Sequence, residues 1–175
     1  MQVNSQGENV MVICEQLLDL TRRALLEGDF EAFEQAFLLP HVHTTLEGTT
    51  FLDTREDLLV LHTRMTREFA RLGIDDIHRV IVSAQFTGPD RIVVQTISHH
   101  LNGGRRVNTP FPVFTELARC GAQWRIASAN YAVGRTNAGI ADALMPDSFP
   151  SELPGASPLD DLRPDSGAND MNLEK

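Results

Sequence analysis

Apolar positions recur every three or four residues in the first part of the chain and every second residue in the later part. Val10, Ile13, Leu17, Leu20 and Ala24 trace a helix over 9–27. Gly28 ends it, because glycine alone reaches the left-handed position after a helix at low cost. Asp29 caps a short second helix with Phe30, Phe33 and Phe37 on one stripe, stopped at Pro40. Residues 41–46 and 49–52 read as two short strands around Glu47-Gly48. A third helix opens at Asp53, with Glu56 placed to bond back to the cap. Its stripe is Leu58, Leu61, Met65, Phe69 and Leu72, and Gly73 closes it.

From Ile77 the period drops to two. Strands are predicted over 77–87, 91–101, 106–118 and 123–133. Gly88-Pro89-Asp90, Asn102-Gly103-Gly104-Arg105 and Cys120-Gly121 have hairpin chemistry, so the strands form an antiparallel meander. A turn at Cys120-Gly121 pairs Leu117 with Trp124 and Glu116 with Arg125. The inner face then carries Trp124, Ile126, Ser128 and Asn130, and beside them Leu117, Thr115, Val113, Phe111 and Thr109. The turn at Gly103-Gly104 adds Ile92, Val94, Thr96, Ser98 and His100. A three-residue loop at Gly88-Pro89-Asp90 adds Phe86, Ala84, Val82, Val80 and His78. Pro110 and Pro112 lack amide protons on one strand edge, so pairing there must be interrupted by a bulge or strand end.

This inner face is apolar at one end and polar at the other. His78 lies opposite His100, with Ser98, Thr109 and Asn130 close by. Such groups need hydrogen-bond partners, water or a ligand when buried. His78 and His100 form a candidate acid/base pair, because imidazole exchanges protons near neutral pH. His41-x-His43 has a spacing that metals use, but no companion Asp, Glu or Cys follows, so the two are expected to be solvated histidines and no metal site is expected. His62 shares a helix face with Leu58 and Met65 and is expected to bond a carbonyl in the core. Trp124 is a structural anchor near the narrow end.

Composition narrows the function classes. Of the net charge of −9, the segment from Asp142 onward carries eight acids against Arg163 and Lys175, which is −6 and leaves −3 for the rest. A nearly balanced body without a basic stripe argues against nucleic-acid or anionic-membrane partners. Cys14 and Cys120 have no metal or disulfide spacing, and neither a secretory signal nor a bilayer-spanning run is visible. A cytoplasmic protein without a cofactor is the expectation. Three segments follow: a flexible 1–8, a folded 9–133, and an acidic, proline-rich disordered tail over 134–175.

The run Leu26-Glu27-Gly28-Asp29-Phe30-Glu31-Ala32-Phe33, the capped third helix, Phe111-Pro112-Val113-Phe114-Thr115-Glu116-Leu117 and Trp124-Arg125-Ile126-Ala127 resemble the nuclear transport factor 2-like superfamily and its SnoaL-like group. The resemblance spans about residues 10 to 133. It implies an α+β cone, a curved antiparallel sheet wrapped around three N-terminal helices, with a pocket at the wide end and dimerisation through the sheet. It implies no single chemistry, since the superfamily includes isomerases, cyclases, dehydratases, hydrolases and proteins without catalysis. The isomerase-type Asp is absent from His41-Val42-His43-Thr44-Thr45-Leu46. The His-x-His pair frequent on the last strand is here Ser128-x-Asn130.

The expected function is binding of a small, mostly apolar molecule by His78, Ser98, His100, Phe111 and Asn130, with acid/base isomerase, cyclase or hydrolase chemistry as its extension. The cavity is expected to measure roughly a few hundred Å3. The alternative is a non-catalytic assembly domain, a homodimer through an outer face bearing Val93, Ile97, Phe114 and Tyr131.

Overall fold

The fold is that of a computed structural model in which residues 7–134 and 137–145 are described. These form helices α1 (Val10–Glu27), α2 (Phe30–Ala36), α3 (Arg55–Leu72) and α4 (Ala138–Leu144), and strands β1 (Phe37–Thr45), β2 (Gly48–Leu52), β3 (Asp76–Gly88), β4 (Arg91–Asn102), β5 (Arg105–Arg106), β6 (Phe111–Cys120) and β7 (Gln123–Tyr131). The sheet order is β2-β1-β7-β6-β4-β3, with β5 beside β4. Every pairing is antiparallel except β1 with β7. The α+β cone is thus present, its sheet mixed rather than wholly antiparallel and its core joined by a fourth helix.

The helix boundaries follow local chemistry. Gly28 (φ 71°) and Gly73 (φ 65°) both stop helices in the left-handed conformation. The cap of α3 lies one residue later than expected: the Thr54 hydroxyl accepts from the Asp57 amide, and Asp57 accepts from the Thr54 amide. The second helix stops at Ala36, and Phe37 already belongs to β1. Buried Val10, Ile13, Cys14, Leu17 and Leu25 of α1 face Leu58, Leu61, Met65 and Phe69 of α3 within one core.

Most inner positions of the sheet match the sequence pattern. Ile92, Val94, Thr96, Ser98 and His100 are all buried along β4, as are Phe111, Val113 and Leu117 on β6. Two registers slip without changing face. The last turn is Gly121-Ala122, so Trp124 pairs with Arg119 instead of Leu117. Past the interruption at 107–110, Ser98 pairs with Phe111. Each slip is by two residues, and side chains on a strand alternate with period two, so the faces survive.

Single-residue bulges do reverse faces. Val82 has no partner between Ile81↔Thr96 and Ser83↔Gln95. Before that bulge Ile77, Arg79 and Ile81 point inward, while His78, Val80 and Val82 are exposed. His78 consequently pairs with His99 on the outer face, and Ile77 opposes His100. Ala127 is a further bulge, between Leu117↔Ile126 and Glu116↔Ser128. It turns Ala129 and Tyr131 inward and leaves Asn130 exposed. The expected inner positions of His78, Val80, Val82 and Asn130, and the outer position of Tyr131, are therefore corrected. An inserted residue shifts all that follows it by half a pleat.

Both expected ends of the folded segment also move. Glu8 accepts from the Arg119 guanidinium and, at 3.4 Å, from the Trp124 indole. At the other end, residues assigned to the tail form α4, where Ile140 and Leu144 join the core. The rest of both segments, 1–6 and 146–175, lies outside the described residues. No described helix is long and apolar enough to cross a membrane.

Candidate functional site

Between the helices and the concave sheet lies a cavity of about 80 Å3, smaller than the sequence pattern suggested. Its walls are mainly apolar: Leu17 and Leu25 of α1, Leu61, Met65 and Phe69 of α3, and Val94, Phe111 and Ile126 of the sheet. Phe33 and Phe37 also reach into this space and help to restrict it. A short polar strip crosses the wall, made by Thr21, Arg79, Thr96, Ser98, His100 and Tyr131. Among the described residues no aspartate or glutamate lines the cavity.

Of the five residues expected to bind a ligand, Ser98, His100 and Phe111 border this cavity. His78 and Asn130 do not, because the two bulges turn them outward. Arg79 and Tyr131 take the inward positions in their place. A sequence signal for them exists in hindsight: an arginine between Ile77 and Ile81, and a tyrosine two residues after Ala129, alternate with apolar inner positions once one residue is skipped.

His100 rests against Phe69 (5.1 Å between ring centroids) and edge-on to Phe111 (5.5 Å). Its Nδ1 accepts from the Asn108 amide at 3.0 Å, which leaves the proton on Nε2. Burial lowers its pKa to about 4, and the charges of Arg79 and His99 act in the same direction. His100 is therefore a neutral donor at neutral pH. Tyr131 is held above the ordinary tyrosine range by burial, against the pull of Arg79, and stays a neutral hydroxyl.

Arg79 spans from β3 to α1. Its Nη1 donates to the Leu18 carbonyl at 3.0 Å and to the Thr21 hydroxyl at 2.9 Å. The Thr21 hydroxyl in turn donates to the Leu17 and Leu18 carbonyls. Burial, and secondarily Arg22, lower the Arg79 pKa while Tyr131 opposes them.

The expectation of solvated histidines at His41 and His43 is overturned. Both are fully buried, because they share the inner face of β1, where His41 packs edge-on to Phe37 and His43 lies against Tyr131 and the Leu144 carbonyl. His43 Nε2 bonds the Leu144 carbonyl and its Nδ1 has no partner. Neither nitrogen of His41 makes a hydrogen bond of good geometry, although the Ile126 and Ala127 carbonyls are near enough to favour its charged form. Burial dominates and, with the His43 charge, takes the His41 pKa to about 4. No group of three metal-ligating side chains occurs among the described residues. His62 behaves as expected, bonding the Ala24 carbonyl at 3.1 Å.

The buried histidines make stability depend on pH with a definite sign. Unfolded histidine ionises near pH 6.5, whereas folded His41 and His100 ionise near 4. Stability is complete above pH 6.5 and falls as the pH drops toward 4, by roughly 1.4 kcal/mol per pH unit for each histidine. His41→Leu should remove one such share and, by deleting an unpartnered polar group, leave stability at neutral pH unchanged or raised. Urea unfolding between neutral pH and pH 5 reads both. An unaltered pH slope in the variant would exclude a neutral, buried His41.

Solved structures of low identity share this fold. A domain of unknown function with a cystatin-like fold from Nostoc punctiforme superposes with a TM-score of 0.56 at 14% identity, over 70% of this chain and 76% of that one. A nuclear transport factor 2-like protein of unknown function from Shewanella oneidensis gives 0.56 at 12% identity, over 70% and 98%. Another from Silicibacter pomeroyi gives 0.51 at 17% identity, over 71% and 95%. No protein-family model matches the chain, and no curated protein does. At these identities the likeness assigns the fold and nothing finer, so the SnoaL-like subgroup is an expectation only.

Proposed function

We propose that this chain, which has the nuclear transport factor 2-like fold, binds a small and mostly apolar molecule inside its cone. The observation that carries this reading is the cavity itself, apolar around most of its wall and crossed by one polar strip of Arg79, Ser98, His100 and Tyr131. Binding is favoured over turnover. A general base works best with a pKa near the operating pH, and His100 lies well below it, with no carboxylate beside it in the described wall.

The test uses two-carbon probes: ethanol, acetamide and acetate. At least one of them should shift the methyl resonances of Leu61, Met65 and Val94. Ser98→Leu, which adds bulk inside the cavity, should abolish that shift at a stability cost of about 1–3 kcal/mol. Absence of any cavity shift with all three probes would end this reading.

A second reading, an assembly domain, is favoured by the outer sheet face. Val80, Val82, Val93 and Phe114 are exposed there, and the bulge at Val82 makes that face more apolar than the alternation implied. A homodimer would cover it. Sedimentation should give twice the 19.4 kDa chain mass, and Phe114→Glu should return it to the monomer. A wild-type monomer at micromolar concentration would remove the dimer.

A further inference from the structure

The cavity wall holds a cation, Arg79, that makes no salt bridge with any described residue. Of the carboxylates nearby, Asp19 bonds Arg22 and Arg23 and Asp76 bonds Arg22, while Glu15 lies along the outer cleft without a salt bridge to Arg79. Of the five guanidinium protons of Arg79, the two on Nη1 go to the Leu18 carbonyl and the Thr21 hydroxyl. The Nε–Nη2 edge makes no hydrogen bond with any described residue. Arg79 is half-buried, and a charge partly withdrawn from water without a counter-charge lowers stability. Such a planar edge matches a carboxylate, which accepts two parallel N–H bonds.

Two spaces border Arg79, and they differ in charge. The outer cleft between α1 and β3 is lined by Glu15 and Asp19, which repel an anion. The inner cavity has no acid among its described lining residues and offers two further donors, the Tyr131 hydroxyl and the His100 Nε2. Arg79, Tyr131 and His100 all line this inner cavity. Opposite lie Leu61, Met65 and Phe69, surfaces for a hydrocarbon tail.

We propose that the ligand of this cavity is a short-chain monocarboxylic acid, bound as its carboxylate by the free edge of Arg79 and the Tyr131 hydroxyl, with its tail against α3. This rests on the reading of the cavity as a binding site. The volume of about 80 Å3 is about half of the roughly 150 Å3 that holds the six heavy atoms of benzene, so the tail is very short, about one or two carbons. Bound carboxylate neutralises the one cation of the strip, and the amide of the same acid does not.

Titration of the full chain with acetate, acetamide and ethanol, followed on the Met65 and Val94 methyls, separates the possibilities. Acetate should bind about tenfold or more tightly than either neutral probe. Arg79→Gln should erase that preference. Equal binding of acetamide or ethanol would overturn the acid and leave the cavity standing as an apolar site. No cavity shift with any probe would remove both. Acetate shifts confined to Met11 and Ile81, at the outer cleft, would also overturn the proposal, as would an Arg79→Gln protein that keeps the preference. Should that variant not fold, the comparison of acetate with acetamide on the unaltered chain decides.

Discussion

Ending the chain at Asn137 instead of Met145 should lower the folding free energy by about 3–6 kcal/mol. The comparison isolates α4, because both versions lack 146–175. Ile140 is 1% exposed and Leu144 3% exposed, and full burial of each such side chain contributes roughly 1.5–3 kcal/mol. The loss reaches further than apolar area. His43 is deprived of the Leu144 carbonyl that its Nε2 bonds, and the Thr45 hydroxyl of its Met145 sulfur. For a chain of this size the melting temperature should fall by about 10–20 °C. A shift of a degree or two would mean that 138–145 behave as the dispensable tail the composition suggests.

Trp124→Ala should cost about 3–5 kcal/mol. The indole is 8% exposed and packs on Phe86 with 6.0 Å between ring centroids. Arg119 covers its face at 5.7 Å, and Glu8 accepts from the indole nitrogen. The substitution therefore opens a cavity at the narrow end and unties the chain start from the sheet. Chemical denaturation measures the loss. Trp124→Phe keeps most of the ring and should cost much less, so equal losses from the two variants would show that the Glu8 bond, and not packing, is the larger contribution.

The chain by itself determined what depends on neighbours within a turn or two. Helix stops at Gly28 and Gly73, the Asp29 cap and the Gly103-Gly104 hairpin are local events with local causes. Period-two alternation placed Ser98, His100 and Phe111 on the concave face, and those positions hold because both register slips near them are even. The sign of a residue's face beyond a bulge has no such local cause. Val82 and Ala127 are ordinary strand residues, and the sheet accommodates an extra residue there only where it bends around the helices. The tertiary structure thus moved Arg79 and Tyr131 inward and His78 and Asn130 outward, reversing half of the polar strip. Burial of His43 has the same long-range origin: its face of β1 is covered by Tyr131 and by the Leu144 carbonyl, 101 residues further along the chain. The short helix α4 was hidden by composition, because Ile140 and Leu144 stand beside an acidic, proline-rich stretch, and only docking against α3 gives seven residues a reason to be helical.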